Sequence, residues 1–213
     1  MKNLIYLIII FAFVFAACGK KEDRVSTQQK EPTQQKKEDS LKTQQDREMK
    51  VKEALEEEKI VKDTLGQWAI KADASSTYQD HTGTDTWSAD QLIGVPDVTE
   101  YGDNGKAWTS KEQDKGIEWI KMVYPNQVNA TEVRVRQTYN PGTIIKVELL
   151  DTKGKSHTVW EGLDKTKYEP NKIKYFVAKF DKTDYKTNTI KITLATNSLP
   201  GWKEIDAVQL VGN

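Results

Sequence analysis

All six tryptophans of this 213-residue chain lie at or beyond Trp68. Ahead of them stand an apolar run near the start and then little besides Lys, Gln, Glu, Asp, Ser and Thr, so a core can form only from about residue 67 onward. One domain is expected, residues 67–213, and about 150 residues suffice for a self-sufficient core. Within it, short alternating or apolar runs are separated by Gly, Pro, Asn and Asp, the pattern of an all-β sandwich. Strands are expected at Trp68–Ala72, Ala107–Ser110, Ile117–Val123, Thr131–Thr138, Ile144–Asp151, His157–Trp160, Tyr175–Phe180, Thr189–Ala195 and Ile205–Val211. Val133-Arg134-Val135-Arg136 alternates most cleanly, giving one apolar face and one wet face. Ser88-Ala89-Asp90-Gln91 has the spacing of a capping box, which predicts a helical turn there. Trp108, Trp119 and Trp160 fall inside expected strands and read as core, while Trp87 and Trp202 read as walls of a loop region.

Residues 1–17 place one cation, Lys2, ahead of the apolar run Leu4–Phe15, which is short for a membrane span of about 20 residues and suits a secretory leader. The run ends in Phe15-Ala16-Ala17-Cys18-Gly19, which resembles a lipobox, and the chain's single cysteine occupies the position that takes the lipid. The resemblance implies cleavage before Cys18, acylation of its thiol with palmitate-type chains, and anchoring in a bilayer that two or more chains make stable. It places the protein in the cell envelope, and Gly19 rather than Asp after the cysteine points to the outer membrane where a cell has two membranes.

Residues 18–66 are expected to be a polar tether. Gly19–Gln45 carries too little apolar surface to offset chain entropy. Between Asp46 and Leu65, Val51, Ala54, Leu55, Val61 and Leu65 recur near helical spacing, predicting a short helix stopped by Gly66.

The formal net charge is zero, with both signs interspersed, so nothing marks a face for nucleic acid. A single cysteine excludes an internal disulfide, and the two histidines, His81 and His157, are too far apart in sequence to suggest a Cys/His zinc centre. There is no Gly-x-Ser-x-Gly elbow, phosphate-cradling glycine loop or His-Glu-x-x-His helix, so the domain reads as non-catalytic.

Ala74-Ser75-Ser76, then Trp87 through Asp97, then Ala107-Trp108-Thr109-Ser110 and Glu118-Trp119-Ile120, with the ending Gly201-Trp202-Lys203-Glu204-Ile205-Asp206-Ala207-Val208, resemble in order the galactose-binding-like superfamily of discoidin domains, coagulation-factor C-type domains and carbohydrate-binding modules. The resemblance implies a jelly-roll β-sandwich from about Trp68 to Gly212 and leaves the ligand open, since this fold hosts glycan, lipid and protein binders. It implies a structural calcium between the first long loop and the last strand, with Asp97 and Glu204 at the matching positions and Asp103 on the same loop. Calcium takes about six to eight oxygens, which Asp side chains and loop carbonyls can supply. The longer insert Val98–Lys106, which carries Asp103, departs from the pattern.

The resemblance also points to Arg136-Gln137-Thr138-Tyr139-Asn140-Pro141-Gly142 as a recognition loop between two strands. Arg136 offers a fork of donors, Asn140 a donor with an acceptor, and Tyr139 an aromatic face; His81 matches a histidine that joins this site in some relatives. Asn-Pro-Gly would also serve as a plain turn, and His81 as a solvated loop residue. The expectation is a membrane-anchored module that binds glycan or another envelope component. The alternatives are an envelope protein-docking or assembly module and, behind it, a hydrolase built on two carboxylates.

Overall fold

The computed structural model of the chain describes residues 32–78 and 86–213. The leader, Cys18 and His81 lie outside the described residues. Helix α1 runs Pro32–Val61, much longer than the expected segment from Asp46. Composition explains the extension: after Pro32, suited to a first turn, no Gly or Pro interrupts a run of Gln, Lys, Glu, Leu, Met, Arg and Ala, the strong helix formers. A segment too polar for a core can still be a helix. The described residues divide into two units, 32–49 and Lys50–Asn213. In the first, side chains 39–49 are exposed. Among the described residues no helix is long and apolar enough to cross a membrane.

The second unit is the sandwich with the last turns of α1. Its strands are β1 (Gly66–Trp68), β2 (Lys71–Ala74), β3 (Ile117–Val128), β4 (Ala130–Tyr139), β5 (Ile144–Asp151), β6 (Ser156–Glu161), β7 (Lys174–Lys179), β8 (Thr187–Ala195) and β9 (Glu204–Gly212). They form a four-stranded sheet ordered β1-β9-β4-β7 and a five-stranded sheet ordered β2-β3-β8-β5-β6, every pair antiparallel. Ile120, Met122 and Tyr124 on β3, Ile190, Ile192 and Leu194 on β8, and Val147 and Leu149 on β5 meet Val133, Val135, Phe176, Val208 and Leu210 from the other sheet. Each such side chain contributes about 1.5–3 kcal/mol by leaving water. Trp108 closes one end, fully buried, its indole N–H donating to the Ser76 carbonyl at 3.0 Å.

Three expectations need correction. The strand expected at Trp68–Ala72 is two strands in different sheets, because the chain crosses the sandwich at Ala69 and Ile70, where the Ile70 amide already bonds the Val123 carbonyl of the second sheet. Ala107–Ser110 forms no strand, only an isolated bridge between Trp108 and Ile205. Gly66 opens β1 instead of stopping α1; it is glycine because a Cβ there would overlap the Gln209 side-chain amide. That amide donates to the Ile60 carbonyl at 2.9 Å, satisfying a helix-end acceptor. The turn at Ala89–Leu92 forms as a 3₁₀ turn, but Ser88 makes no side-chain cap.

Candidate functional site at the loop end

The first long loop, after β2, and the segment entering β9 meet at one end of the sandwich. The Tyr78 amide donates to the Thr109 carbonyl at 3.1 Å, and the Trp87 amide to the Gly105 carbonyl at 2.8 Å. These bonds bring three rings together: Tyr78 stands edge-on to Trp87 at 5.6 Å and to Trp202 at 5.3 Å. Tyr78 is 50% exposed, an unusual exposure for the hub of an aromatic cluster. Trp87 is held at φ 50°, a conformation uncommon for bulky residues and tolerated where the surroundings over-determine it. Edge-on rings of this kind contribute about 0.5–1.5 kcal/mol beyond their burial.

Beneath the rings sit acids. Glu204, at the start of β9, is 1% exposed; its Oε2 accepts the Asn104 amide at 3.0 Å, and its carboxyl faces Asp103. Burial above all, with the Asp103 charge adding, pushes the Glu204 carboxyl up to about 8. The Trp87 indole N–H donates to Asp103 Oδ1 at 3.1 Å, tying the aromatic cluster to the acid pair. Asp97 does not join them. Its carboxylate pairs with Lys106 at 3.0 Å and its amide bonds Asp206 Oδ1 at 3.4 Å. The three expected calcium ligands therefore divide, with Asp103 and Glu204 together and Asp97 apart, because Lys106 within the long insert neutralises Asp97. Among the described residues no group of three or more His, Cys, Asp and Glu gathers to hold a metal. Two facing carboxylates, one of them buried and lacking a cation, fit a hard ion in part, and backbone carbonyls would have to complete its shell.

The expected recognition loop is different in kind. Arg136 lies within β4, 7% exposed, its Nη1 donating to Asp206 Oδ2 at 2.6 Å and to the Val98 carbonyl at 2.8 Å. It is a strand residue paired with Tyr175 of β7, not a loop residue. Tyr139 ends β4 and packs edge-on against Tyr101 at 5.5 Å. Asn140 begins the true connection, at φ 42°, and its side-chain amide holds the Trp202 carbonyl at 2.8 Å. These residues position the site's neighbours, and their polar atoms are largely spent doing so.

Two residues that the sequence reading passed over prove central. Asp206 is displaced at a bulge where β9 shifts register against Arg136 and Gln137, which swings its carboxylate to the outer side. Burial raises it to about 6 although the Arg136 guanidinium pulls the other way. Lys203 is 3% exposed, its ammonium bound to Asp114 at 2.6 Å and to the Leu199 and Gly201 carbonyls. Three charges, Lys203, Glu204 and Asp206, on a segment otherwise apolar were the available signal; for Tyr78 there was none.

A family model described as Pappalysin-1, SD scarf domain, C-terminal matches residues 57–213. No curated protein matches the chain. Among solved structures, a selenomethionine-labelled variant of chitosan-binding module 1 from the chitosanase/glucanase of Paenibacillus sp. IK-5 is 12% identical with a TM-score of 0.50, covering 68% of this chain and 99% of that one. Reduced XRCC1 bound to the DNA pol beta catalytic domain is 10% identical with a TM-score of 0.50, covering 70% and 99%. The family 32 carbohydrate-binding module of C. perfringens NanJ, in complex with galactose, is 15% identical with a TM-score of 0.47, covering 68% and 98%. At such identities the likeness is one of fold, the galactose-binding-like jelly roll. With its model matched across far more than half of the sequence, the chain belongs to the family of the pappalysin-1 SD scarf domain, C-terminal.

Proposed function

We propose that the sandwich is a non-catalytic glycan-binding module, displayed at the cell envelope by a lipid on Cys18. The observation that carries the reading is the ring cluster of Tyr78, Trp87 and Trp202 at the loop end, with its hub half exposed. Sugars present one apolar face, which an aromatic ring covers, while nearby polar groups orient the hydroxyls. The similar chitosan-binding module supports this ligand class. Asp103 and Glu204, hydrogen-bonded to Trp87 and to the loop backbone, would hold a calcium that fixes the rings rather than touching the sugar. The Asp97 carboxylate has no part in it.

The decisive measurement is a glycan array with the soluble chain from residue 19, in calcium and in chelator, beside Tyr78→Ala and Trp202→Ala. Binding of a defined glycan class that either substitution removes is the expected result. An array blank for the unsubstituted protein would shift the reading to protein docking, the use that the XRCC1 structure shows for a domain of this fold. Fatty-acid labelling of Cys18→Ser tests the anchor separately: label is expected to vanish.

A further inference from the structure

On a different face, between the last turns of α1 and the outer side of β4 and β7, lies a groove of about 740 Å³. Ala54, Ile60, Ile173 and Val177 line it, with Tyr101 and Tyr175. Two donors converge at its wall on one oxygen, Glu57 Oε1: the Tyr175 hydroxyl at 2.9 Å and Arg136 Nε at 3.1 Å. The Tyr175 phenol, raised by burial and by the Glu57 charge, stays protonated and keeps its O–H to donate. The Arg136 side chain is 9% exposed, and its Nε makes no hydrogen bond despite the short distance to Glu57, whose approach is misdirected. Glu57 itself is one-third exposed, on the helix face that Glu53 and Ile60 also turn toward the sandwich.

Packing alone does not account for this arrangement. A helix docked for stability fills the space beneath it, yet Ala54 faces the groove while its larger neighbour Leu55 is 52% exposed. The volume is instead that of an ordinary small-molecule site, about 300–1,000 Å³. Of the groove's three lysines, Lys172 and Lys174 are held by Glu53 at 2.8 and 3.1 Å, and Lys59 is exposed on the helix. What stays poorly satisfied is the donor on Arg136.

We propose that the groove binds a monocarboxylate with an apolar body, whose carboxylate displaces Glu57 from Arg136 Nε and the Tyr175 hydroxyl. The apolar body lies against Ala54, Ile60 and Val177, and Glu57 turns out to solvent. The site shares no residue with the loop-end cluster, so its failure leaves the glycan reading untouched.

The test is calorimetric titration of the soluble chain from residue 19 with decanoate, phenylacetate and decanol. At least one acid binds, and which one does so identifies the body as aliphatic or aromatic. Decanol binds about tenfold more weakly than the acid that binds, the loss expected when a charged hydrogen bond is removed. Glu57→Gln tightens the acid by removing the competing charge, and Ala54→Phe fills the groove and abolishes binding while the thermal transition stays as in the unsubstituted chain. Should Ala54→Phe loosen the helix, Val177→Trp, at a strand position 41% exposed, blocks the same space from the other wall. No binding of either acid, equal binding of decanol, or binding that survives a filled groove would each overturn the proposal.

Discussion

Strands β8 and β9 both run through the middle of their sheets, yet they are buried in opposite ways. Along β8, Ile190, Ile192 and Leu194 point inward and are dry, while Thr189, Lys191 and Thr193 are partly exposed, the usual division of a sheet with one wet face. Along β9 every residue from Glu204 to Gly212 is buried, Glu204, Asp206 and Gln209 among them. Apolar burial at β8 contributes stability directly. At β9 the chain buries groups that are costly without partners, and each finds a specific one: Arg136 for Asp206, the Asn104 amide for Glu204, and Arg134 and the Ile60 carbonyl for Gln209. The difference teaches where shape is held by packing and where it is held by a few polar bonds that a ligand, a proton or a cation can alter.

The comparison breaks first, if it breaks, at the Arg136–Asp206 pair. Arg136→Ala leaves a buried carboxylate unpaired, and the expected cost is about 3–5 kcal/mol in denaturant unfolding. Ile192→Ala on β8 costs about 2–5 kcal/mol by transfer and cavity together. The discriminating variant is the double Arg136→Met with Asp206→Leu, expected to recover most of the loss of the single change, since removing both charges removes the desolvation cost too. No double change on β8 has that property. If the double variant is as unstable as Arg136→Ala, polar burial at β9 is ordinary packing in disguise.

Much of this contrast was legible in the sequence and part of it was not. The inward-facing strands were, because alternation of the kind in Val133–Arg136 reports a single buried face; β5 falls on the expected Ile144–Asp151. Alternation says nothing once both faces are covered, which is why β9 read as an ordinary last strand and Asp206 went unremarked. A local pattern also cannot show which sheet a residue joins, so β1 and β2 merged into one expected strand. The site residues divide for a similar reason. Glu204 and Asp103 lie on the segments expected to meet, and they do; Arg136 lay inside the expected strand Thr131–Thr138 yet was also counted in the recognition loop that the resemblance implied, whereas pairing through Tyr139 holds it within the sheet.

A second, smaller effect comes from protons. Glu204 titrates near 8 in the folded protein against an ordinary 4.5, so across that window the native state holds a proton that the unfolded chain has released. Unfolding free energy must then fall as pH rises, by about 1.4 kcal/mol for each unit over which the difference is complete. Asp206, raised to about 6, adds a slope of the same sign only below that value, so between about 6 and 8 the loss belongs to Glu204. Urea unfolding in chelator at pH 6, 7 and 8 should show the decline, and Glu204→Gln should flatten it. An unsubstituted protein indifferent to pH over this range would mean that the acid pair is better solvated than its burial implies.

Calcium should reverse that decline, since a cation favours the charged carboxylate. At pH 8 and a hundredfold excess over Kd, the gain is about 2.7 kcal/mol, several degrees in melting temperature for a domain of this size. Asp103→Asn and Glu204→Gln should each remove most of it, whereas Asp97→Asn should leave it, because the Asp97 carboxylate is paired with Lys106 away from the other two. A calcium response lost in all three variants would restore Asp97 to the cation's shell.

The smallest expected effect on stability accompanies the largest on binding. Tyr78 touches Trp87 and Trp202 by ring edges and is half exposed, so Tyr78→Ala forfeits little burial and about 0.5–1.5 kcal/mol of ring contact. A stacking ring lost from a shallow glycan site, whose whole affinity is about 4–7 kcal/mol, leaves binding too weak to detect at ordinary concentrations. Ile192→Ala should behave in the opposite way, lowering the melting temperature strongly while the folded fraction retains affinity, since its side chain lies wholly inside the sandwich. Measuring both properties on both variants therefore asks whether recognition and stability are carried by separate parts of one small domain. If Tyr78→Ala binds as tightly as the unsubstituted chain, the aromatic cluster only props the loop, and the face that meets the ligand must be sought elsewhere on the sandwich.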